Sequence, residues 1–95
     1  NRNLGYTIKI EIKKLSDAEL TALNVYSWPI WSCEVSEFPW TYSDKETCFI
    51  LEGKVIVTTD HEEVTIESGD FVVFPKGLSC RWRVLKPIRK YYSFG

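Results

Sequence analysis

Apolar and polar positions alternate with a period of two along most of this chain. From Tyr6, the apolar set Tyr6, Ile8, Ile10 and Ile12 interleaves with Thr7, Lys9, Glu11 and Lys13. This is the mark of a strand with one buried face. The pattern changes in the segment LSDAELTAL: Ser16 is placed to cap a helix, Glu19 to reach back to it, and Leu15 and Leu20 to form a hydrophobic staple. One short helix ending near Asn24 is predicted. Alternation then resumes, with Trp31, Cys33 and Val35 against Ser32, Glu34 and Ser36, until Pro39 confines that strand to an edge or a bend. The segment TCFILEGKVIVTTD predicts two strands joined at Glu52-Gly53. EVTIESGDFVVFPKG predicts two more, broken at Gly69-Asp70 and closed by Pro75-Lys76-Gly77. SCRWRVLK and IRKYYSF, divided by Pro87, complete the set. Strands spaced in this way belong to a sandwich or a barrel, and the helix is an N-terminal attachment to it.

Composition narrows the picture. A chain of 95 residues makes one domain, able to bury roughly 60 to 65% of its unfolded surface in a single core. Four Trp, five Tyr and five Phe with no Met predict a rigid interior. The three cysteines, Cys33, Cys48 and Cys80, show neither a disulfide-framework spacing nor a CxxC, which points to a reducing compartment. No apolar run approaches the roughly 20 residues of a membrane helix, so no membrane contact is expected. The expected location is intracellular, cytosol or plastid, with a trimmed targeting peptide left open because the chain begins at Asn1. Net charge is −1, yet from Phe71 onward the chain has six basic residues, Lys76, Arg81, Arg83, Lys86, Arg89 and Lys90, and no acidic one. Pairing of this stripe with Glu34 or Glu37 is expected, and nucleic-acid binding is not.

Two segments spanning Trp40 to Val84 resemble the paired motifs of the cupin superfamily. At the ligand and glycine positions of the first motif stand Trp40, Tyr42, Glu46 and Gly53; at those of the second stand Gly69, Pro75, Gly77, Cys80 and Val84. The glycines and the proline are kept, while the three histidines that hold a metal in such proteins are replaced. ETCFILEGKV and GDFVVFPKGLSCRW look most like the small single-domain cupins grouped with the ureidoglycine aminohydrolase cupin domain, of plant and bacterial type. The resemblance implies an all-β, antiparallel jelly-roll β-barrel with one short N-terminal helix. It forms a single domain over 1–95, with the strand and helix in 1–27 and the barrel core in 28–95. A homodimer is a further family expectation.

The candidate site follows from the motif positions. Trp40 and Tyr42 lie two apart and face one side, the interior by the motif match, as core filling or as a ligand-facing wall. A Trp N–H only donates and removes one metal ligand outright. Glu46, a carboxylate inside an apolar barrel, must be paired, protonated or ligand-bound, and it is the best general acid or base available. Cys48 shares its side, and Cys80 and Trp82 share the facing one. The single histidine, His61, lies in a polar turn outside the motifs. We therefore expect a small-molecule-binding cupin with a degenerate metal site. Its pocket is expected at Trp40, Tyr42, Glu46, Cys48, Cys80 and Trp82, with any catalysis resting on Glu46 and Cys80. No cofactor is expected. The alternatives are a divalent transition metal such as Mn, Fe or Zn on Glu46 and Cys80, in a hydrolase-like enzyme acting on a small nitrogen-containing metabolite, or an accessory subunit of a larger, organellar complex.

Overall fold

The computed structural model describes residues 9–95. The stretch 6–8 of the first alternating segment lies outside the described residues. Its remainder places Ile10 in the core and forms β1 (Glu11–Lys13), a short strand whose Ile12 is partly exposed. Then follow α1 (Asp17–Ala22), β2 (Ile30–Cys33), β3 (Ser36–Thr41), β4 (Glu46–Thr58), β5 (Glu63–Glu67), β6 (Phe71–Phe74) and β7 (Ser79–Phe94). All strand pairs are antiparallel. The fold is an all-β cupin barrel with one short helix.

Helix α1 forms for the predicted reason. The Ser16 hydroxyl accepts from the Glu19 amide at 3.1 Å, and a Glu19 carboxylate oxygen accepts from the Ser16 amide at 2.8 Å. The helix ends earlier than Asn24: the chain leaves it at Leu23, and Asn24, at φ 64°, turns it into a single 3-10 turn, Val25–Ser27. Leu20 and Val25 are buried with Phe71, and Leu15, Trp28, Phe49, Val73 and Tyr91 pack against them. Phe49, Phe71 and Tyr91 have the opposite parity to the core residues Cys48, Val72 and Lys90, so α1 covers the outer face of the sheet.

Two long strands form the spine. β4 and β7, 13 and 16 residues long, pair from Glu46↔Phe94 to Thr58↔Arg81. The other flank of β4 takes β6 and then β5, while that of β7 takes β3 and then β2. Two predicted breaks are thus absent. Glu52-Gly53 is an irregularity inside β4, and Pro87 lies inside β7. The two breaks cancel because they face each other: the register shifts of β4 fall between Ile50 and Val55, opposite the stretch of β7 that contains Pro87, whose nitrogen has no hydrogen to donate. Gly53 is needed there twice over. Its φ is 100°, and a Cβ on it would lie 2.2 Å from the Pro87 carbonyl oxygen.

The irregularity changes parity on one strand only. In β4 the buried positions are Glu46, Cys48 and Ile50 before Gly53 but Val55 and Val57 after it, as a one-residue mismatch requires: from Ile50↔Lys90 to Val55↔Val84 β4 advances five residues (55 − 50) and β7 six (90 − 84). In β7 the inward set stays even-numbered from Cys80, Trp82 and Val84 to Ile88 and Lys90. The other motif turns hold as expected, with Gly69 at φ 94° and Gly77 at φ 88°.

Gly53→Ala is expected to lower the unfolding free energy by about 3 kcal/mol. Gly77→Ala, where a Cβ meets nothing within 4 Å, should cost only about 1 kcal/mol. Urea denaturation of both variants tests the order; equal losses would show that the approach to Pro87 is not the constraint.

Candidate functional site

The inward faces of β2, β3, β4 and β7 enclose a cavity of about 270 Å³. β7 supplies Trp82, Lys90, Tyr92 and Phe94, β3 supplies Phe38 and Trp40, β2 supplies Trp31, and Glu46 enters from the start of β4. Tyr42 follows β3, held to the Pro75–Gly77 turn region by backbone bonds, its amide donating to Leu78 O at 2.9 Å and its carbonyl accepting from Gly77 at 2.7 Å.

One interaction organises these residues. Lys90 Nζ donates to Glu46 Oε2 at 2.6 Å, and both side chains are almost completely buried. The register explains how they meet: Ile50 faces Lys90 and Glu46 faces Phe94. The lysine therefore reaches diagonally along the inner face, past the Cys48↔Tyr92 pair. The ammonium also lies 4.8 Å from the ring centroids of Trp31 and Trp82 and 5.8 Å from that of Phe74, distances at which a ring face attracts a cation.

Trp82 is the hub of the aromatic wall. It meets Trp31 edge-on at 5.9 Å, stacks on Phe38 at 6.0 Å and tilts against Phe74 at 5.8 Å. Tyr42 stacks on the other side of this layer against Phe74, with centroids 4.7 Å apart. Among the described residues, Trp82 Nε1 is the buried side-chain polar atom without a hydrogen-bond partner; ring contacts, not the N–H, fix this indole.

The sequence-predicted residues separate into wall and surroundings. Tyr42, Glu46 and Trp82 are buried and line the cavity. Trp40 lines it too but is 49% exposed, so it stands at the rim instead of filling the interior, because β3 pairs on one flank only. Cys48 and Cys80 are buried in the core cluster and are not part of the cavity wall. Lys90, one of the six basic residues after Phe71, is an interior residue; the strand does not break at Pro87, and even parity carries it inward with Cys80 and Trp82. Two of the outer basic residues pair with acidic neighbours, Arg81 with Glu37 at 2.5 Å and Arg89 with Glu52 at 3.0 Å.

The donor set does not fit a cupin metal centre. At the four ligand positions only Glu46 is a strong donor, and one of its oxygens already holds an ammonium. Burial pushes the Cys80 thiol up to about 11 and the Cys48 thiol up to about 12. It also raises the Tyr42 phenol, with the Glu46 charge adding to the effect. In the metal-free protein each of these groups is therefore protonated at neutral pH. No cluster of three or more His, Cys, Asp and Glu placed to hold a metal ion occurs among the described residues. The same raised thiol argues against Cys80 as a nucleophile.

Fold and site together define a class: a small cupin barrel whose cavity is built from aromatic rings around an ion pair. The chain belongs to the family described as the EutQ-like cupin domain, whose model matches residues 20–92. A DUF861 family protein from Thermotoga maritima is 53% identical, with a TM-score of 0.89 over 92% of this chain and 100% of that one. The EutQ protein of Clostridium difficile shares the fold at 20% identity, with a TM-score of 0.63 over 90% of this chain and 66% of that one. A DUF861 protein of unknown function from Pseudomonas syringae, 24% identical, gives a TM-score of 0.64 over 70% of this chain and 29% of that one. No curated protein matches the chain. No helix among the described residues is long and apolar enough to cross a membrane.

Two outcomes follow for the site. Lys90→Met and Glu46→Gln should each destabilise by about 3 kcal/mol, since each leaves a buried partner uncompensated. The double variant should cost less than the sum of the two, as read by a denaturation cycle; strict additivity would mean that the pair is not coupled. The second concerns pH. The folded state holds the Cys48 proton more tightly than the unfolded chain, whose thiol titrates near 9. Its contribution is complete below about pH 9 and is lost as pH rises toward about 12. Between pH 8 and 11 wild type should therefore lose more stability than Cys48→Val; equal losses would refute the assignment.

Proposed function

We propose that this protein binds a small, flat organic molecule carrying at least one N–H donor, in the cavity between β2, β3, β4 and β7. The observation that carries this reading is the unspent acceptor in an aromatic box. Glu46 Oε2 takes Lys90, whereas Oε1 has no hydrogen-bond partner among the described residues, and Glu46 lines the cavity. A ligand N–H reaching Oε1 would complete the carboxylate without disturbing the ion pair, and Trp40, Tyr92 and Phe94 in the same wall give a planar molecule aromatic surface to pack on. The volume, about 270 Å³, is near the lower end for ligand sites, roughly 300 Å³ and upward, so the ligand is a small metabolite. The motif likeness to the ureidoglycine aminohydrolase group points the same way, toward nitrogen-containing compounds rich in N–H.

Access is over the rim. Trp40 and Phe94 are 49% and 54% exposed and both line the cavity, so a ligand entering it passes these two rings.

Calorimetry with benzamide and methyl benzoate, which differ in the N–H donor, tests the reading. Benzamide should bind more tightly, and Trp40→Ala should weaken it about tenfold while leaving the fold intact, because Trp40 is half exposed. Equal affinity for the two compounds would rule out Glu46 as the acceptor, and absence of saturable benzamide binding would overturn the proposal.

A further inference from the structure

Lys90 is the one buried lysine among the described residues, and the ion pair that satisfies it also gives it a proton acceptor within a single hydrogen bond. Its nitrogen lies 2.6 Å from Glu46 Oε2, and both residues border the cavity. An amine, a carboxylate and an apolar chamber open at one side are the components that carbonyl condensation needs. We propose that Lys90 forms an imine with small apolar aldehydes that enter this cavity, with Glu46 moving the protons. The proposal rests on the reading of the cavity as a ligand site and names a second chemical class for it.

The step balances without any further reactant. Glu46 accepts a proton from the Lys90 ammonium, leaving a neutral amine and a carboxylic acid. The amine lone pair attacks the aldehyde carbon, a C–N bond forms, and the carbonyl π electrons move to oxygen, which takes the proton from Glu46. The attacking nitrogen then returns a proton to the carboxylate, giving a neutral carbinolamine. Glu46 delivers that proton to the hydroxyl, the C–O bond breaks, water leaves, and a C=N bond remains with one positive charge on nitrogen. Overall, one ammonium and one aldehyde give one iminium and one water.

The environment suits the product as well as the starting lysine. The iminium carries its charge on the same atom, so the Glu46 carboxylate and the faces of Trp31 and Trp82, 4.8 Å away, serve it as they serve the ammonium. No new charge is buried. The surface lysines have no comparable arrangement: Lys14, for example, pairs with Asp70 but is itself largely exposed.

The experiment is reductive trapping of the whole chain with benzaldehyde and sodium cyanoborohydride, followed by intact mass measurement and peptide mapping. A single benzyl group should appear on Lys90 at least about tenfold faster than on any other lysine. Lys90→Arg, which keeps the positive charge, should lose that label. Glu46→Gln should slow it by about a hundredfold, the usual scale for removing a proton-transfer group, with circular dichroism confirming a folded barrel. The wild-type map needs no variant to fold, so it decides the question alone: labelling at Lys90 no faster than at surface lysines overturns the proposal. Benzamide binding separates the two ideas. If benzamide binds and Lys90 stays unlabelled, the cavity remains a ligand site and the imine is wrong; if neither occurs, both fall.

Discussion

A buried ammonium against a buried carboxylate sets the terms for the interior of this barrel. Desolvating two charges costs several kcal/mol for each ion, and their attraction offsets that only where geometry is good and the rest of each group is satisfied. Here the lysine meets Glu46 at 2.6 Å and turns its remaining surface to aromatic faces. The rings of Trp31, Trp82 and Phe74 are therefore more than filling. A leucine of similar bulk would exclude water equally well but would offer the ammonium no negative face. This accounts for the placing of Trp31 and Trp82 against the lysine.

The pair in turn depends on the spine. Glu46 stands at the first residue of β4, and Lys90 lies four positions inside the far end of β7. They meet only if both strands keep their pairing and their facing over that distance. The irregularity at Gly53 threatens this, because a one-residue mismatch between the strands inverts the facing of everything beyond it on one of them. It sits in β4 on the far side of Ile50 from Glu46, and β7 passes through Pro87 without changing parity. The half of the sheet that holds the site keeps regular pairing from Glu46↔Phe94 to Ile50↔Lys90. The close approach of Gly53 to the Pro87 carbonyl lets β4 absorb the mismatch.

Much of the fold was legible in the sequence because its signals are local. Alternation in β7, the Ser16 and Glu19 capping box, and the glycines at Gly69 and Gly77 each depend on a few neighbouring residues, and each appears as read; the alternation of Trp31, Cys33 and Val35 does not run on, since β2 ends at Cys33 and Val35 is exposed. The errors lay where a local signal had a distant partner. Gly53 and Pro87 both read as strand breaks, and only their juxtaposition makes them a matched defect. That misreading concealed Lys90. Even parity from Cys80 through Ile88 points it inward, but parity can be carried across a proline only when the strand is known to continue. The wall residues Tyr42, Glu46 and Trp82 were accessible from motif spacing. Phe38, Trp31, Tyr92 and Phe94 depend on which strands flank β7, and the alternation pattern does not encode that. Trp40 was placed on the correct side but too deep, because spacing gives the side of a strand and not its distance from an open edge.

The titratable groups near the cavity fall into two sets, and the division limits the chemistry available. Tyr42, Cys48 and Cys80 have their acidities weakened chiefly by burial, and each is neutral when protonated, so the apolar surroundings favour the form with no charge. Glu46 and Lys90 differ because each carries the other's counter-charge. Passing the proton between them changes an ion pair into two neutral groups, and neither state leaves an isolated charge in the interior. Ionising a thiol or the phenol, by contrast, would add an uncompensated negative charge to the interior. The barrel retains the carboxylate of a metal-binding cupin but matches it with a cation from its own chain, Lys90 on β7.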